Sequence, residues 1–483
     1  MSYLPAEGAS WNGVPVLRSG LVRMILTGVI LGCFELVALL HGAGMAIMVL
    51  ALGAYAMGLT RAEMLFVAKA TPVLAYPILA LLSVVWSDFP GVTFRLALQL
   101  TVTAVAGLII YRTQPFRSLR AAIFGSSLIV CAIAAVVGRG QVPLVGVADS
   151  KNMMAFIASI PVLAGVSIVA DARVALLGRA GASVGVLFAA LLMILANSAG
   201  STVGTALGCV VIIAAHVFIR APHTVRLTAV VAFLLLVPVG VVAQSIIVSQ
   251  ANEFSTGVLG KDSSLSGRTY LWSRAAEYFA ERPLGGRGYG AFWVQGSIDA
   301  EGLWSRYGVI NRGGFNFHNQ FVDAAVDLGV LGVATLAITV MVAFTALAAK
   351  LLRSRNPELP YFVGLLVALC VRLPVESLML AQFNIITTMF FMALTATVYG
   401  RDAQAAPFAL RRARAPLRRQ KLDRGLVQQR EVRKSRKPKA LRQEKVVKPA
   451  VHGRRLRRGR RVLRQTRVPL DAPAPQGEGE PST

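Results

Sequence analysis

Apolar residues recur along the chain in continuous runs of roughly 20 positions, and polar stretches separate the runs. A helix of that length spans about 30 Å, which is the thickness of the hydrocarbon core of a bilayer. Lipid offers the peptide backbone no hydrogen-bond partners, so a spanning segment must be a helix or part of a closed barrel. Barrel strands alternate apolar and polar positions, whereas these runs are continuous. The pattern therefore predicts an all-α, polytopic transmembrane helical bundle.

Twelve runs of this kind predict about 12 spans. The runs cover residues 21–40, 43–58, 66–86, 92–111, 119–137, 152–170, 174–196, 202–219, 227–247, 320–349, 360–379 and 384–400. The chain is accordingly divided into an N-terminus (1–18), spans 1–9 (19–247), a large loop (248–319), spans 10–12 (320–400) and a C-terminal tail (401–483).

Lys and Arg residues are concentrated in every second connection between the runs. Positively charged short loops stay on the cytoplasmic side, so this alternation predicts that both termini are cytoplasmic. The loop of residues 248–319 is then periplasmic, and its sequence predicts a helix of its own. The pattern consists of an N-cap, an apolar face and a stop, supplied by Ser266, then Trp272, Ala276 and Phe279, then Pro283 and Gly285.

The composition agrees with a membrane protein, and the charge locates a separate tail. Of the 483 residues, 55% are hydrophobic and 15% are charged, the mean hydropathy is +0.61 and the formal net charge is +27. Residues 401–483 hold 25 Lys and Arg against 7 Asp and Glu, which is +18 of that excess. A basic segment poor in aromatic residues predicts a disordered cytoplasmic tail in contact with anionic membrane lipid. Contact with protein or nucleic acid is the alternative, and no specific nucleic acid is expected.

Motifs for metal, nucleotide or acyl chemistry are absent from the sequence. There is no P-loop, no GxSxG and no HExxH, and the histidines have no metal-ligand spacing. The four cysteines lie inside apolar runs and are expected to be reduced and packed. We therefore expect neither a metal nor another cofactor. The N-terminus also lacks the pattern of a cleaved signal peptide.

Arginine and glycine are concentrated in the stretch SLSGRTYLWSRAAEYFAERPLGGRGYGAFW, residues 264–293. Arginine binds phosphate oxygens through two N–H groups, and glycines let backbone N–H groups approach a phosphate closely. We infer an anion at the outer membrane face, with Arg268 and Arg287 among its candidate ligands. The alternative is that these are ordinary loop arginines.

His318 stands where the polar loop ends and the tenth run begins. Imidazole exchanges a proton near neutral pH, so His318 is a candidate acceptor for the proton of an attacking hydroxyl; a hydrogen-bonded structural histidine is the alternative. Asp323 and Asp327 are four apart on one helical face and are expected to orient the imidazole or to pair with an arginine. Gly329 and Gly332 are expected to allow close helix packing.

Two further polar pairs lie at the outer ends of apolar runs. Arg372 and Glu376 are four apart in the eleventh run, where charges are costly unless they face a cavity or each other. A structural ion pair therefore competes with a substrate-facing arginine. Lys151 and Asn152, at the mouth of the sixth run, pose the same choice.

The spacing His318-Asn319, nine residues, Gly329, two residues, Gly332 resembles the signature of the O-antigen ligase and polymerase superfamily (Wzy/WaaL type). Further family landmarks are matched in order by Trp86-Ser87 with Pro90, Lys151-Asn152, Ser266-Gly267-Arg268 with Trp272, and Pro283, Gly285 and Gly288-Tyr289-Gly290. The resemblance covers residues 20–400 and is strongest to the exopolysaccharide-polymerase branch. The stretch 196–202 departs from the pattern, because it lacks the arginine that often accompanies Ser-Thr there.

The resemblance implies an enzyme and assigns roles to its residues. Members are metal-independent membrane glycosyltransferases of the C type, which use a glycan on a polyprenyl pyrophosphate as donor at the periplasmic face of the bacterial inner membrane. Arg268 is then expected to contact the donor pyrophosphate, with Arg372 as a second contact. His318 is expected to activate or position the acceptor hydroxyl. Arg287 and Asn319 are further candidates for substrate binding.

The sequence thus predicts a polymerase in exopolysaccharide or O-antigen biosynthesis that acts on a glycan or lipid-linked acceptor. An O-antigen ligase that transfers glycan to lipid A core or to protein is the alternative within the family, since both share the signature. A flippase or other transporter of lipid-linked oligosaccharide, and a scaffold recruited through the basic tail, are alternatives of other classes. A transporter is expected to carry charges near the bilayer midplane, whereas the suggestive charges here cluster at the outer surface.

Overall fold

The computed structural model describes residues 13–228, 231–232, 264–312 and 315–400, and helices are the only regular elements within these ranges. The α-helices with both ends defined are α1 (Gly20–Glu35), α2 (Val37–Met57), α3 (Arg61–Lys69), α4 (Ala75–Leu82), α5 (Pro90–Thr113), α6 (Phe116–Val137), α7 (Lys151–Ala170), α8 (Leu176–Leu195), α9 (Ala199–Phe218), α10 (Ser264–Glu281), α11 (Ile298–Arg306), α12 (Gln320–Arg353), α13 (Leu359–Cys370) and α14 (Ile385–Val398). The basic tail and most of the ninth predicted span lie outside the described residues.

The described helices confirm a polytopic helical membrane protein. Seven of them, α2, α5 to α9 and α12, are long and apolar enough to cross a bilayer. The bent pair Arg61–Lys69 and Thr71–Val85 adds an eighth if it counts as one span. The number of 12 spans stays a prediction.

Proline explains the interruption of two predicted spans, the third and the eleventh. The third run is split and bent by 56°, with Pro72 in the 3-10 turn that follows α3. The eleventh run is helical only to Cys370, because Pro374 disfavours helical backbone in the residue before it. Arg372 and Glu376 therefore lie in an irregular segment, residues 371–384, and not on a helix as predicted.

The surface of α8 shows how the bundle meets lipid. Val184, Leu187, Leu191 and Ile194 follow the helical repeat along one face and are 53–71% exposed. A stripe of this kind is unfavourable in water, whereas hydrocarbon solvates it. Most residues of α7 and α14 are instead buried, so other helices enclose these two.

The described part of the predicted periplasmic loop contains α10, α11 and an aromatic core. The ring of Phe292 lies 4.8 Å from that of Tyr278 and 5.1 Å from that of Phe317. Trp293 packs on the same Phe317 ring at 5.0 Å. This core fixes the chain directly before His318 to α10.

The structure confirms a helix in this loop and its end before Pro283, but it corrects the details. The buried face is Leu271, Ala275 and Tyr278, one residue out of register with the predicted face, and Ala276 is exposed. The observed register places Tyr278 against Phe292. The helix already includes Ser266, so the predicted N-cap at that residue is wrong.

α12 is broken near its N-terminal end at Gly329. This residue adopts φ 62° and ψ −154°, a conformation that only glycine adopts readily. A Cβ atom there would lie 2.6 Å from the carbonyl oxygen of Pro283. The break frees N–H groups of α12, and Val330 donates its own to Pro283 at 2.8 Å. Gly329 thus allows a close approach, but to a loop backbone and not to another helix.

Gly329→Ala is expected to destabilise the folded protein, because alanine adds a disfavoured backbone conformation and a clash with Pro283. Each effect costs about 1–3 kcal/mol. The measurement is the midpoint of thermal unfolding of purified protein in detergent. Gly302→Ala is the matched control, since Gly302 lies in α11 with open space around it and should tolerate alanine. Equal midpoints for Gly329→Ala and the wild type would contradict this account.

Candidate catalytic site

The glycine-rich turn of residues 285–290 is held against the start of α5. Trp86 donates its indole N–H to the Gly285 carbonyl at 2.8 Å, and the N–H of Asp88 donates to the Arg287 carbonyl at 3.0 Å. A Cβ atom on Gly288 would lie 2.9 Å from the Cα atom of Ser87. Two landmarks that are about 200 residues apart in the sequence are therefore in direct contact.

Every backbone N–H from residue 286 to residue 290 already has an acceptor within the protein. The acceptors are, in order, Arg282 O, Val326 O, Asp327 O, Ser83 Oγ and Asp327 Oδ2, at 2.8–3.1 Å. The expectation that these N–H groups face a phosphate is therefore wrong. The glycines instead let the turn lie against α12, with positive φ at Gly286, Gly288 and Gly290.

Arg287 is engaged by the loop itself. Its guanidinium pairs with Glu281 at 2.5 Å and with Asp299 at 2.9 Å, and it lies over the ring of Tyr278 at 5.1 Å. The side chain is only 14% exposed. Arg287 thus links α10, through Glu281, to α11, through Asp299. The predicted contact of Arg287 with substrate stays a prediction.

The irregular segment 371–384 is fixed to both the turn and α12. Tyr289 donates its hydroxyl to the Leu380 carbonyl at 2.7 Å, and burial raises the pKa of Tyr289 well above its ordinary value, so the group stays a neutral donor. Gln320, the first residue of α12, donates its backbone N–H to the Leu373 carbonyl at 2.9 Å. The segment that carries Arg372 and Glu376 is thereby held beside His318.

The two aspartates of α12 accept hydrogen bonds from backbone N–H groups of the preceding loop. Asp323 accepts a hydrogen bond from the N–H of Phe317 at 3.2 Å, and Asp327 accepts one from the N–H of Gly290 at 3.0 Å. Neither carboxylate forms an ion pair with an arginine in the part of the chain that the structure describes, so the expected pairing is wrong. Asp323 acts on His318 through the backbone of the preceding residue.

His318 is presented by a strained turn directly before α12. Its φ is 52°, a region that residues other than glycine seldom occupy. The N–H of His318 donates to Asn316 Oδ1 at 2.9 Å, and Trp272 of α10 donates to the Phe317 carbonyl at 2.8 Å. The Phe315 ring stands perpendicular to the imidazole at 5.8 Å. The imidazole is thus fixed by its neighbours while 31% of the side chain remains exposed.

A polar chain connects His318 to α7. Nδ1 of His318 lies 3.9 Å from Oε2 of Glu376, which is within reach of an ion pair and longer than a hydrogen bond. The other carboxylate oxygen of Glu376 accepts a hydrogen bond from Asn152 Nδ2 at 2.7 Å. Nδ1 is buried and has no hydrogen-bond partner among the described residues. Glu376 is therefore the group placed to engage it.

Arg372 lies four residues before Glu376, but its side chain contacts other residues. Its Nη2 donates to the Ser201 carbonyl and to Thr205 Oγ1, both at 2.8 Å, and the guanidinium lies over the Phe156 ring at 4.7 Å. No ion pair joins the two described side chains Arg372 and Glu376, so that alternative is wrong. Nε and Nη1 are buried and have no partner in the described ranges. Arg372 therefore keeps N–H donors for a ligand.

The cavity between Asn152, Arg372 and Glu376 has room for about one water molecule. A sugar ring does not fit inside it. A ligand of the size of a glycan can therefore reach these side chains only from the mouth of the cavity. His318, at the edge of this group, is the more exposed residue.

Arg268 is on the face of α10 that approaches His318. It precedes Trp272 by four residues, so the two side chains lie one above the other on the helix. Trp272 contacts Phe317, the neighbour of His318. Arg268 is half-buried and forms no hydrogen bond or ion pair with another described residue. Arg268 thus lies one helical turn from the residue that contacts the neighbour of His318, and its contact with a pyrophosphate stays a prediction.

Asn319 acts as the N-cap of α12. Its Oδ1 accepts hydrogen bonds from the N–H groups of Phe321 and Val322 at 3.0 and 3.4 Å. Only its amide N–H donors remain for a substrate, and that contact stays a prediction. Across the described ranges, no group of three or more His, Cys, Asp or Glu residues could hold a metal ion.

Comparison with known proteins identifies the family of this chain. Residues 184–337 match the family model described as O-antigen ligase, a range that includes α10, the glycine-rich turn, His318 and Gly329. Over 349 residues the chain is 31% identical to the exopolysaccharide production protein ExoQ of Rhizobium meliloti (strain 1021). That match covers 69% of this chain and 78% of the relative. The chain therefore belongs to the O-antigen ligase family of membrane proteins, in its ExoQ-type branch.

Proposed function

We propose that this protein is a glycosyltransferase of the bacterial inner membrane that polymerises glycan at the periplasmic face. The donor is a glycan on polyprenyl pyrophosphate, and the acceptor is a hydroxyl of a second glycan. The observation that carries the proposal is that Glu376 lies 3.9 Å from Nδ1 of His318 and shares a cavity with Arg372. Exopolysaccharide production by the relative ExoQ favours polymerisation over ligation.

The acceptor hydroxyl needs a group to take its proton as it attacks the anomeric carbon. With Nδ1 of His318 directed at Glu376, the second ring nitrogen, Nε2, is left to accept that proton. The new bond forms between the acceptor oxygen and the anomeric carbon, and the bond from that carbon to the pyrophosphate oxygen breaks. A single displacement of this kind inverts the configuration at the anomeric carbon.

The departing pyrophosphate gains negative charge and must be stabilised. Arg268 and Arg372 supply positive charge that persists at any physiological pH. Arg372 lines a cavity too small for a sugar, and its Nε and Nη1 groups have no partner among the described residues, so a phosphate oxygen is the part of the donor that suits this guanidinium. Metal independence belongs to the proposal because these two guanidinium groups supply the charge.

Glu376 is the positioning residue for His318 in this proposal. Its carboxylate, 3.9 Å from Nδ1, favours the imidazolium that forms when Nε2 takes the proton. Asn152 occupies the other carboxylate oxygen and so fixes the direction of the group. The arrangement follows the general logic of a base whose orientation is set by a third group.

His318→Ala is expected to lower glycan transfer by roughly 10²–10⁴-fold, the usual contribution of a general base. The measurement is a deletion strain complemented with each variant, with lipid-linked and finished glycans sized by gel. Single repeat units stalled on the carrier indicate a polymerase, and full-length polymer retained on the carrier indicates a ligase.

The matched control for His318→Ala is His223→Ala, which changes an exposed histidine outside the site and should leave the glycan unchanged. Normal polymer from His318→Ala would overturn the catalytic role. Carrier-linked repeat units confined to the cytoplasmic leaflet would assign the protein to the transporters instead.

Glu376→Gln is expected to lower the turnover number about tenfold or more and to leave the KM for the donor nearly unchanged, because the lost interaction forms mainly in the transition state. The measurement is steady-state kinetics of purified protein with lipid-linked donor, beside the midpoint of thermal unfolding. Glu376→Asp keeps the charge and should recover part of the rate. If Glu376→Gln and Glu376→Asp lose the same amount of rate and both unfold at a lower temperature, Glu376 serves folding alone.

A further inference from the structure

A second polar cavity lies at the far ends of the helices that carry the candidate site. It is formed by the α7–α8 connection, the end of α9 and the α12–α13 connection. Its polar lining consists of Asp171, Arg173, His216, Arg220 and Arg355. No part of the proposed glycan transfer uses this cavity, which we call the basic cavity.

The basic cavity and the candidate site are on opposite sides of the membrane. α7 begins beside Asn152 at the site and ends beside Asp171, a rise of about 28 Å. α9 likewise carries Ser201 at the site and His216 near its other end. That separation equals the thickness of the hydrocarbon core. The positive-inside rule places the basic cavity at the cytoplasmic face.

The charge in the basic cavity is not balanced. Asp171 is already neutralised, because Arg173 lies 2.8 Å and Arg120 3.1 Å from its carboxylate oxygens. Arg220 and Arg355 form no ion pair with any residue that the structure describes. Three separate connections therefore bring surplus positive charge to one concave surface, which is the arrangement that binds an anion.

His216 adds a buried polar atom with no partner. The side chain is 5% exposed, and Nδ1 lies 2.9 Å from the Ile212 carbonyl, which can only accept. Nδ1 must therefore carry the hydrogen. Nε2 is buried and has no partner in the described ranges, and the side chain lines the basic cavity. Nε2 accepts in the neutral ring and donates to an anion only when the ring is protonated, so Arg220 and Arg355 are the groups that hold the anion.

Apolar surface adjoins the basic cavity. Leu176 and Leu177, at the start of α8 just after Arg173, are 79% and 86% exposed, and Val217 beside His216 is 66% exposed. A free phosphate uses only the arginines. A phospholipid uses both surfaces, since its phosphate meets the arginines while its acyl chains cover the leucines.

We propose that the basic cavity binds the phosphate group of an anionic phospholipid of the cytoplasmic leaflet. The bound lipid joins the ends of α7, α9 and α12 and so stabilises the helices whose opposite ends carry the candidate site. Arg226 supports this arrangement, because it donates to the Leu351 carbonyl at 2.9 Å and holds the end of α12 close to the chain that follows α9.

The test measures the midpoint of thermal unfolding of the full chain in nanodiscs. Phosphatidylcholine alone is compared with phosphatidylcholine that contains phosphatidylglycerol, and a third series adds inorganic phosphate to phosphatidylcholine discs. Phosphatidylglycerol should raise the midpoint of the wild type. In Arg220→Gln/Arg355→Gln the concentration of phosphatidylglycerol needed for half of that rise should increase at least about tenfold, since two charged donors are lost.

The control is Arg61→Gln/Arg117→Gln, which removes two exposed arginines from the same predicted face, outside the basic cavity. It should respond to phosphatidylglycerol as the wild type does. An equal response of both double variants would overturn the proposal, because the effect would then be general surface charge. A full rise with inorganic phosphate would overturn the lipid assignment in favour of a free anion. If the double variant fails to fold, Arg355→Gln alone, at an exposed position, provides the same comparison.

Discussion

Backbone groups that leave a helix at membrane depth must find hydrogen-bond partners within the protein. The hydrogen bonds that meet this need hold the segments of the candidate site together. α12 breaks at Gly329 and α13 ends at Cys370, so both expose backbone groups beside the candidate site. The break in α12 is filled by the carbonyl of Pro283, and the segment after α13 is tied to Gln320. Because these bonds are formed between distant segments, each irregular segment is stable only when the others are in place.

The two charges of the irregular segment do not neutralise each other. The N–H of Glu376 donates to the Arg372 carbonyl at 2.8 Å, so the two residues are still one turn apart. Their side chains nevertheless diverge, since Arg372 donates to the Ser201 carbonyl and Glu376 accepts from Asn152. One charge thus remains for the proposed anionic donor and the other for the imidazole of His318.

Periodicity and local motifs predicted the parts of the structure that depend on local forces. Long apolar helices, the end of α10 before Pro283 and the position of His318 at the start of α12 all follow from neighbouring residues. Proline was an available signal for the end of α13, since Pro374 lies inside the apolar run. α11 was missed although Ser297 stands before an acidic first turn, a common start of a helix.

The contact between Asn152 and Glu376 joins residues 224 positions apart, and no periodic pattern in the sequence encodes such a pairing. The glycine-rich turn failed as a phosphate site for a related reason. Glycine permits any close approach of the backbone, and the sequence does not tell whether the approaching group is a ligand or another part of the chain. Here Asp327 and Val326 take the N–H groups that a phosphate was expected to use.

Helix length relates the proposed donor site to the basic cavity. The pyrophosphate of a polyprenyl donor and the phosphate of a phospholipid both lie at the headgroup level, on opposite faces of the bilayer. α7 and α9 have 20 residues each, about 30 Å of helix, which is the thickness of the hydrocarbon between those two levels. A lipid phosphate fixed at one end of these helices therefore sets the depth of the other end, where Asn152 and the partners of Arg372 must meet the donor at the height of its pyrophosphate.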